Sequence, residues 1–152
     1  MTPSQRLAQL GLSLPTAPRP IGSYVPGIRV GQLVMCSGQL PFIDGRLSAV
    51  GKVGRDLTLE QAADAARQAG LNGLAILADA AGGLDRIVRI VRLAVFVNSA
   101  PGFTDQPKVA NGASDLMTAV FGDAGRHVRA AVGAAELPMN ACVEVEITAE
   151  IA

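Results

Sequence analysis

The side chain whose type and surroundings most clearly suggest a chemical role is Arg129, which lies in the short apolar run Val128–Val132. A guanidinium buried in such a run is costly unless it meets an anion, and its planar fork suits bidentate capture of a carboxylate. The anion could be Glu144 or Glu146 on a neighbouring strand, which would make Arg129 part of a structural salt bridge. It could also be the carboxylate of a bound small molecule, although the local sequence by itself favours the salt bridge. The sequence predicts a buried cation and leaves its partner open.

Three other places could contribute to a site, and each also has a plain structural interpretation. Tyr24, the one tyrosine, follows a proline-rich arm and could line a cleft or lie at its rim. Gly38 follows a strand, where a missing side chain lets the backbone approach a ligand or simply ends the strand. Glu144, Glu146 and Glu150 share one face of the last strand, which could be a solvated face.

Several common kinds of site are disfavoured. One histidine, His127, and two distant cysteines, Cys36 and Cys142, give no metal-ligand spacing. The Gly-rich segment Gly51–Asp56 matches neither a P-loop nor GxGxxG. There is no G-x-S-x-G elbow, and His127 lies beside arginines, which argues against a Ser/His/Asp triad. No metal and no cofactor is expected.

The composition limits the class of protein. A chain of 152 residues suits one domain, which we expect to span 1–152 with residues 1–20 as an N-terminal arm. With 49% hydrophobic and 17% charged residues it is too apolar to be disordered. Zero net charge, four Phe, one Tyr and no Trp argue against a nucleic-acid or anionic-membrane binder. The absence of a signal-like start and of a long apolar run, with cysteines in apolar runs, predicts reduced thiols in a cytoplasmic protein.

The pattern of apolar residues predicts the elements that would carry these side chains. A helix begins after Thr58, which has capping-box spacing to Gln61, and ends at Gly82-Gly83. A second helix spans about Gln106–Phe121. Strands are predicted at Ile87–Asn98, Val128–Val132 and Ala141–Ile151, with hairpin turns at Gly31-Gln32 and Asp44-Gly45.

These elements give an α+β fold in which two helices cover one face of a mixed sheet. Small residues, among them Gly73 with Gly70 close by, follow one stripe of the first long helix, which indicates close packing on the sheet. Strand Ile87–Asn98 is apolar on both faces, so its second face also needs cover. Another subunit would provide that cover, or the N-terminal arm would fold over it.

Four segments in order carry a resemblance to a known family. They are IGSYVPG at Ile21–Gly27, CSGQLP at Cys36–Pro41, RAAVGAAELP at Arg129–Pro138 and VEVE at Val143–Glu146. Together they resemble the Rid family (RidA/YjgF, also called endoribonuclease L-PSP-like), and residues 103–125 resemble the subgroup often labelled "YjgF-like". The resemblance covers about residues 15–151.

The resemblance implies a chorismate-mutase-like fold of the bacillus type, assembled as a homotrimer with three clefts between subunits. It also implies hydrolysis of 2-imino or enamino acids to 2-oxo acids and ammonia, without a cofactor. Arg129 matches the arginine that pairs with the substrate carboxylate, and Glu144 the acid that activates water. Substrate-binding positions are matched by Tyr24, Gly38, Ala131 and Asn111.

The chain also departs from the family pattern. His127 stands where Pro or Ala is common, and Ala131 and Gly133 replace a Cys and a larger residue, which leaves the favoured substrate open. Three other functions are consistent with the same chain: a non-catalytic trimer that binds a small carboxylate or a partner protein, a regulatory or structural trimer with an empty cleft, and the ribonuclease of the older family name. The net charge of zero and the small number of aromatic residues argue against an RNA-binding groove.

Overall fold

A computed structural model describes residues 1–17, 19 and 22–152, and in this part of the chain three α-helices and seven strands form. The helices are α1 (Pro3–Gln9), α2 (Leu59–Ala81) and α3 (Gln106–Phe121). The strands are β1 (Gly27–Val30), β2 (Leu33–Cys36), β3 (Phe42–Ile43), β4 (Arg46–Leu47), β5 (Ile87–Asn98), β6 (Val128–Ala134) and β7 (Val143–Ile151). Short 3-10 turns occupy Leu84–Arg86, Gly122–Gly125 and Pro138–Asn140.

Five strands form one mixed sheet in the order β1-β2-β7-β5-β6, and β3 and β4 form a separate hairpin. Only the β5–β6 pair is parallel, since the chain passes through α3 between these two strands. Both α2 and α3 pack on the face that carries the buried members of β7, such as Val145 and Ile147. The α+β architecture predicted from the sequence is confirmed.

The helix and turn signals in the sequence are also confirmed. Thr58 caps α2 with Oγ1 accepting from the Gln61 backbone, and the Gln61 side chain accepts from Thr58 in return. Gly82 ends α2 in the left-handed region at φ 84°. The two hairpin turns have positive φ at Gly31 and at Asp44-Gly45, as tight hairpins require.

Glycines let the helices approach the sheet and each other. A Cβ built on Gly73 would lie 2.7 Å from Ile147 Cδ1, so this glycine packs on the sheet as predicted. Gly70 instead faces α3, next to Ala113 and Met117, which corrects the expectation that it faces the sheet. The closest approach is made by Gly112 on α3, because a Cβ there would overlap the Ala63 carbonyl oxygen and lie 2.7 Å from the carbonyl carbon.

The opposite face of the sheet, here called the open face, is not covered by the described residues. It exposes apolar side chains of both edges and of β2, namely Ile28, Val30, Leu33, Val128 and Val132. The described part of the N-terminal arm lies on the helix side, since α1 packs on α3 and the Ser4 amide donates to Asp85 Oδ1. Cover of the open face by this arm is therefore wrong for the described residues, while Pro18, Pro20 and Ile21 lie outside them.

Gly112→Ala should lower the free energy of unfolding by about 1–3 kcal/mol, because the new methyl meets the rigid backbone of α2 at Ala63. Gly70→Ala is the matched control in the same helix–helix contact. Its methyl would lie 3.4 Å from Ala113 Cβ and Met117 Cε, and helix propensity should add up to about 1 kcal/mol. Urea denaturation at one protein concentration measures both, and equal stability of the two variants would contradict this account of the packing.

Candidate active site

Arg129 lies on β6, an edge strand, with its side chain on the helix face beside α3. Its Nη1 donates to Asn111 Oδ1 at 2.8 Å and to Ser114 Oγ at 3.1 Å, and its Nη2 donates to the Pro107 carbonyl at 3.3 Å. The side chain is exposed, so the expectation of a buried cation is wrong. The physical reason is that an apolar run on an edge strand has no neighbour on one side.

The arrangement leaves one edge of the guanidinium open. Of its five N–H groups, the two on Nη1 face two acceptors and one on Nη2 faces a third. Within residues 1–17, 19 and 22–152, the Nε–H and the second Nη2–H have no hydrogen-bond acceptor. Nε and Nη2 lie on one edge of the guanidinium, and donors on that edge can form the fork that matches a carboxylate.

The alternative of a structural salt bridge from Arg129 to Glu144 or Glu146 is contradicted. The ion pairs of the described residues are Arg55–Asp56, Lys108–Asp105 and Arg126–Asp123. Strand β5 lies between β6 and β7, so the glutamates are not on a neighbouring strand. All three acceptors of Arg129 are neutral, and its positive charge stays uncompensated within the described chain.

Glu144 lies on the open face of β7, half-buried, and Gly38 lies against it. The Gln39–Val145 bridge brings the two together, and a Cβ on Gly38 would lie 2.8 Å from Glu144 Cδ. Burial raises the pKa of the Glu144 carboxyl, and the negative charge of Glu146 raises it further. A carboxylate with a raised pKa is a better proton acceptor near neutral pH.

Tyr24 is on the loop before β1, on the same side of the molecule as Gly38. Ser37 connects the two, because its Oγ donates to the Val25 carbonyl at 2.7 Å and its amide donates to the Pro26 carbonyl at 2.7 Å. Tyr24 and Ser37 are among the residues that line a shallow cavity of about 360 Å³. The loop that carries Tyr24 is thereby held next to Gly38.

The predicted site residues thus form two groups. The arginine half contains Arg129 and Asn111, with Ala131 two residues along the same strand face. The glutamate half contains Glu144 and Gly38, with Tyr24 on the adjoining loop. By strand spacing and register the Cα atoms of Arg129 and Glu144 are roughly 14 Å apart, and their side chains lie on opposite faces of the sheet. A single chain does not bring the two halves together.

Ser114 belongs to the arginine half and was not predicted. Its Oγ lies 2.9 Å from His127 Nε2, and His127 Nδ1 lies 2.6 Å from the Gly125 carbonyl. The spacing contains a signal, since Asn111 and Ser114 are three residues apart on a helix and His127 and Arg129 two apart at a strand. No Ser/His/Asp triad forms here, because the hydrogen-bond partner of His127 Nδ1 is a backbone carbonyl oxygen and not an aspartate carboxylate.

Other chemistry receives little support. The described residues hold no group of three or more His, Cys, Asp or Glu that could ligate a metal ion. Cys36 and Cys142 are free and buried, and burial raises the pKa of each thiol to about 11, so neither is a thiolate at neutral pH. Among the described helices, none has the length and apolarity that a membrane span requires.

Comparison with known proteins gives the family. Residues 4–151 match the family model described as "YjgF/chorismate_mutase-like, putative endoribonuclease". Protein TCP17 of Trypanosoma cruzi is 46% identical over 146 residues, which cover 95% of this chain and 91% of that protein. A 2-iminobutanoate/2-iminopropanoate deaminase of Dermatophagoides farinae is 30% identical over 135 residues, which cover 89% of this chain and 91% of that protein.

Solved structures agree with the sequence comparison. A crystal structure from Shewanella oneidensis, described as "a putative endoribonuclease", superposes with a TM-score of 0.96 at 39% identity, covering 99% of this chain and all of that chain. The match of the family model spans nearly the whole chain, and the fold agrees with it. The protein is therefore a member of the YjgF/chorismate mutase-like family.

Proposed function

We propose that this protein hydrolyses reactive 2-imino or enamino acids to 2-oxo acids and ammonia, in clefts between the subunits of a homotrimer. The observation that carries the proposal is the open edge of the Arg129 guanidinium, a cation whose partners among the described residues are all neutral. The deaminase among the relatives supports the choice of reaction. A cytoplasmic location is part of the proposal, supported by two unpaired buried cysteines.

The division of the site supports assembly into a ring, and the number of three subunits comes from the family resemblance. Each chain carries an arginine half at one edge of its sheet and a glutamate half on the open face. A cyclic arrangement in which each arginine half meets the next subunit's glutamate half closes after a small number of copies. The same contact would bury the apolar side chains of the open face.

Catalysis in this cleft would begin with orientation. Arg129 binds the substrate carboxylate through Nε–H and Nη2–H and so fixes the position of the adjacent C=N carbon. Asn111 holds the guanidinium from the Nη1 side. Gly38 and Ala131 leave room for the substrate, and Tyr24 lines the cleft wall.

Proton transfer would fall to Glu144. A protonated imine is electrophilic without a metal or cofactor, and water adds to its carbon as Glu144 takes one proton from the water. The product is a carbinolamine, in which carbon carries both hydroxyl and amine. Glu144 returns its proton to the nitrogen, and the C–N bond breaks. The hydroxyl gives its own proton to the ionised Glu144 as it becomes the carbonyl of the 2-oxo acid, and that proton passes to the departing ammonia, which leaves as ammonium.

Arg129→Ala should lower kcat/KM for imine hydrolysis at least ~100-fold, because both binding and orientation of the carboxylate are lost. Glu144→Gln should lower kcat by ~100-fold or more and leave carboxylate binding intact. The measurement is the rate of imine loss, with the imine generated by a threonine or serine dehydratase. Arg126→Ala, which removes an exposed arginine ion-paired with Asp123, is the matched control and should keep full activity.

A wild-type rate equal to that of buffer would contradict the deaminase proposal. Normal binding of pyruvate by wild type and Glu144→Gln, without turnover by either, would favour the non-catalytic carboxylate binder instead. RNA cleavage that survives both purification and Arg129→Ala would favour the ribonuclease named in the family description.

The acid limb of kcat/KM should lie above the pH expected for an ordinary glutamate of pKa about 4.3, because the base must be ionised and burial raises the Glu144 pKa. Glu146→Gln removes the negative charge that also raises this pKa, so the limb should move to lower pH. Glu150→Gln is the control, since it lies six residues along the same strand, ~20 Å away. A limb unmoved by Glu146→Gln would contradict the assignment of Glu144 as the base.

Light scattering should give a mass three times that of the 15.6 kDa chain. Val132→Asp places a charge on the open face and should yield smaller species, because a buried unpaired carboxylate is costly. Leu10→Asp, an equivalent change at the exposed end of α1, should leave the trimer intact. A monomeric wild-type protein would contradict the shared cleft.

A further inference from the structure

Arg129 is held by a chain of hydrogen bonds that extends beyond its direct partners. Its Nη1 donates to Ser114 Oγ at 3.1 Å, Ser114 Oγ lies 2.9 Å from His127 Nε2, and His127 Nδ1 lies 2.6 Å from the Gly125 carbonyl. The chain joins Ser114 of α3, Arg129 of β6 and His127, which directly precedes β6, and it ends at the backbone carbonyl of Gly125.

When the His127 imidazole is neutral, chemistry fixes the direction of every bond in this chain. The Gly125 carbonyl can only accept, so His127 Nδ1 carries the proton and donates. In the neutral imidazole Nε2 is then an acceptor, and the Ser114 hydroxyl donates to it. The lone pairs of Ser114 Oγ are left facing Arg129, whose guanidinium can only donate.

The anchored end of this chain is rigid. Gly125 packs directly on α3, where a Cβ would lie 2.6 Å from the Met117 carbonyl carbon, and it is buried. The part of α3 that carries Ser114 is held by Gly112, which packs on the backbone of α2 at Ala63. The hydroxyl of Ser114 is therefore presented to the guanidinium from a fixed position and in a fixed orientation.

We propose that Ser114 and His127 are positioning residues that hold Nη1 of Arg129 so that the Nε–Nη2 edge is presented to a substrate carboxylate. This rests on the carboxylate-anchor role of Arg129 in the proposed function. Neither Ser114 nor His127 carries a negative charge, so the guanidinium is oriented without being neutralised. An acidic side chain in place of Ser114 would also orient the guanidinium, but it would compete with the substrate carboxylate for the positive charge.

The experiment measures the affinity of the full-length protein for two probes, pyruvate and its uncharged amide pyruvamide, by calorimetric titration. The probes differ only in the group that would bind Arg129. Wild type should prefer pyruvate. Ser114→Ala should lose about tenfold in pyruvate affinity, the effect of one charge-assisted hydrogen bond, and keep its pyruvamide affinity. Ser114→Thr, which retains the hydroxyl, should restore the preference.

His127→Phe tests the second link and serves as an independent variant should Ser114→Ala fold poorly. It keeps a ring but removes the acceptor for the serine hydroxyl, so the preference for pyruvate should fall here too. Thr118→Ala is the matched control one turn further along α3, because its Oγ1 donates to the Asp115 carbonyl of the same helix. Its preference should equal that of wild type.

The outcomes separate this inference from the proposed function. A wild-type preference for pyruvate that persists in Ser114→Ala and His127→Phe overturns the inference and leaves the deaminase proposal standing. Equal loss of affinity for both probes also overturns it, since that result indicates a damaged pocket. A wild-type protein that binds pyruvate and pyruvamide equally well overturns both the inference and the role of Arg129 as the carboxylate anchor. Loss of the preference in a protein that turns over no imine supports the inference and contradicts the deaminase.

Discussion

The organisation of this site depends on one uncompensated charge, the guanidinium of Arg129. Its position on an edge strand provides solvent access, and its neutral partners Asn111, Ser114 and the Pro107 carbonyl provide direction without neutralisation. A charged partner would have stabilised the isolated chain more strongly. It would also have occupied the fork that remains open, so the weaker hydrogen bonds preserve the ability to bind an anion.

Contacts of α3 and β6 with neighbouring elements determine where those neutral partners lie. Asn111 and Ser114 lie on either side of Gly112, whose contact with the backbone of α2 at Ala63 brings α3 close to α2. The parallel pairing of β5 and β6 sets the register of Arg129 opposite Leu93. The site is therefore coupled to the core through two contacts that tolerate little displacement.

The sequence predicted the elements more completely than the site. Thr58 with Gln61, Gly82 and the alternation in β7 are local signals, and each has the predicted structural role. The burial of Arg129 was wrong because an apolar run does not reveal whether its strand lies at an edge or in the centre of the sheet. The role of Gly70 was partly wrong for a related reason, since a small-residue stripe indicates close contact but not with which element. Ser114 was not predicted because its partner His127 becomes adjacent only when α3 folds back onto β6.

The separation of Arg129 from Glu144 within one chain has a physical consequence of its own. If the two groups shared a face of one sheet, the guanidinium and the carboxylate would pair, and the substrate would have to compete with an ion pair already formed. The order β7-β5-β6 and the opposite directions of the two side chains prevent that pairing. A site assembled between copies can bring both groups to opposite sides of a substrate, where the carboxylate of the ligand, and not Glu144, occupies the fork. A site divided between subunits would thus keep an acid and a cation reactive in the same cleft.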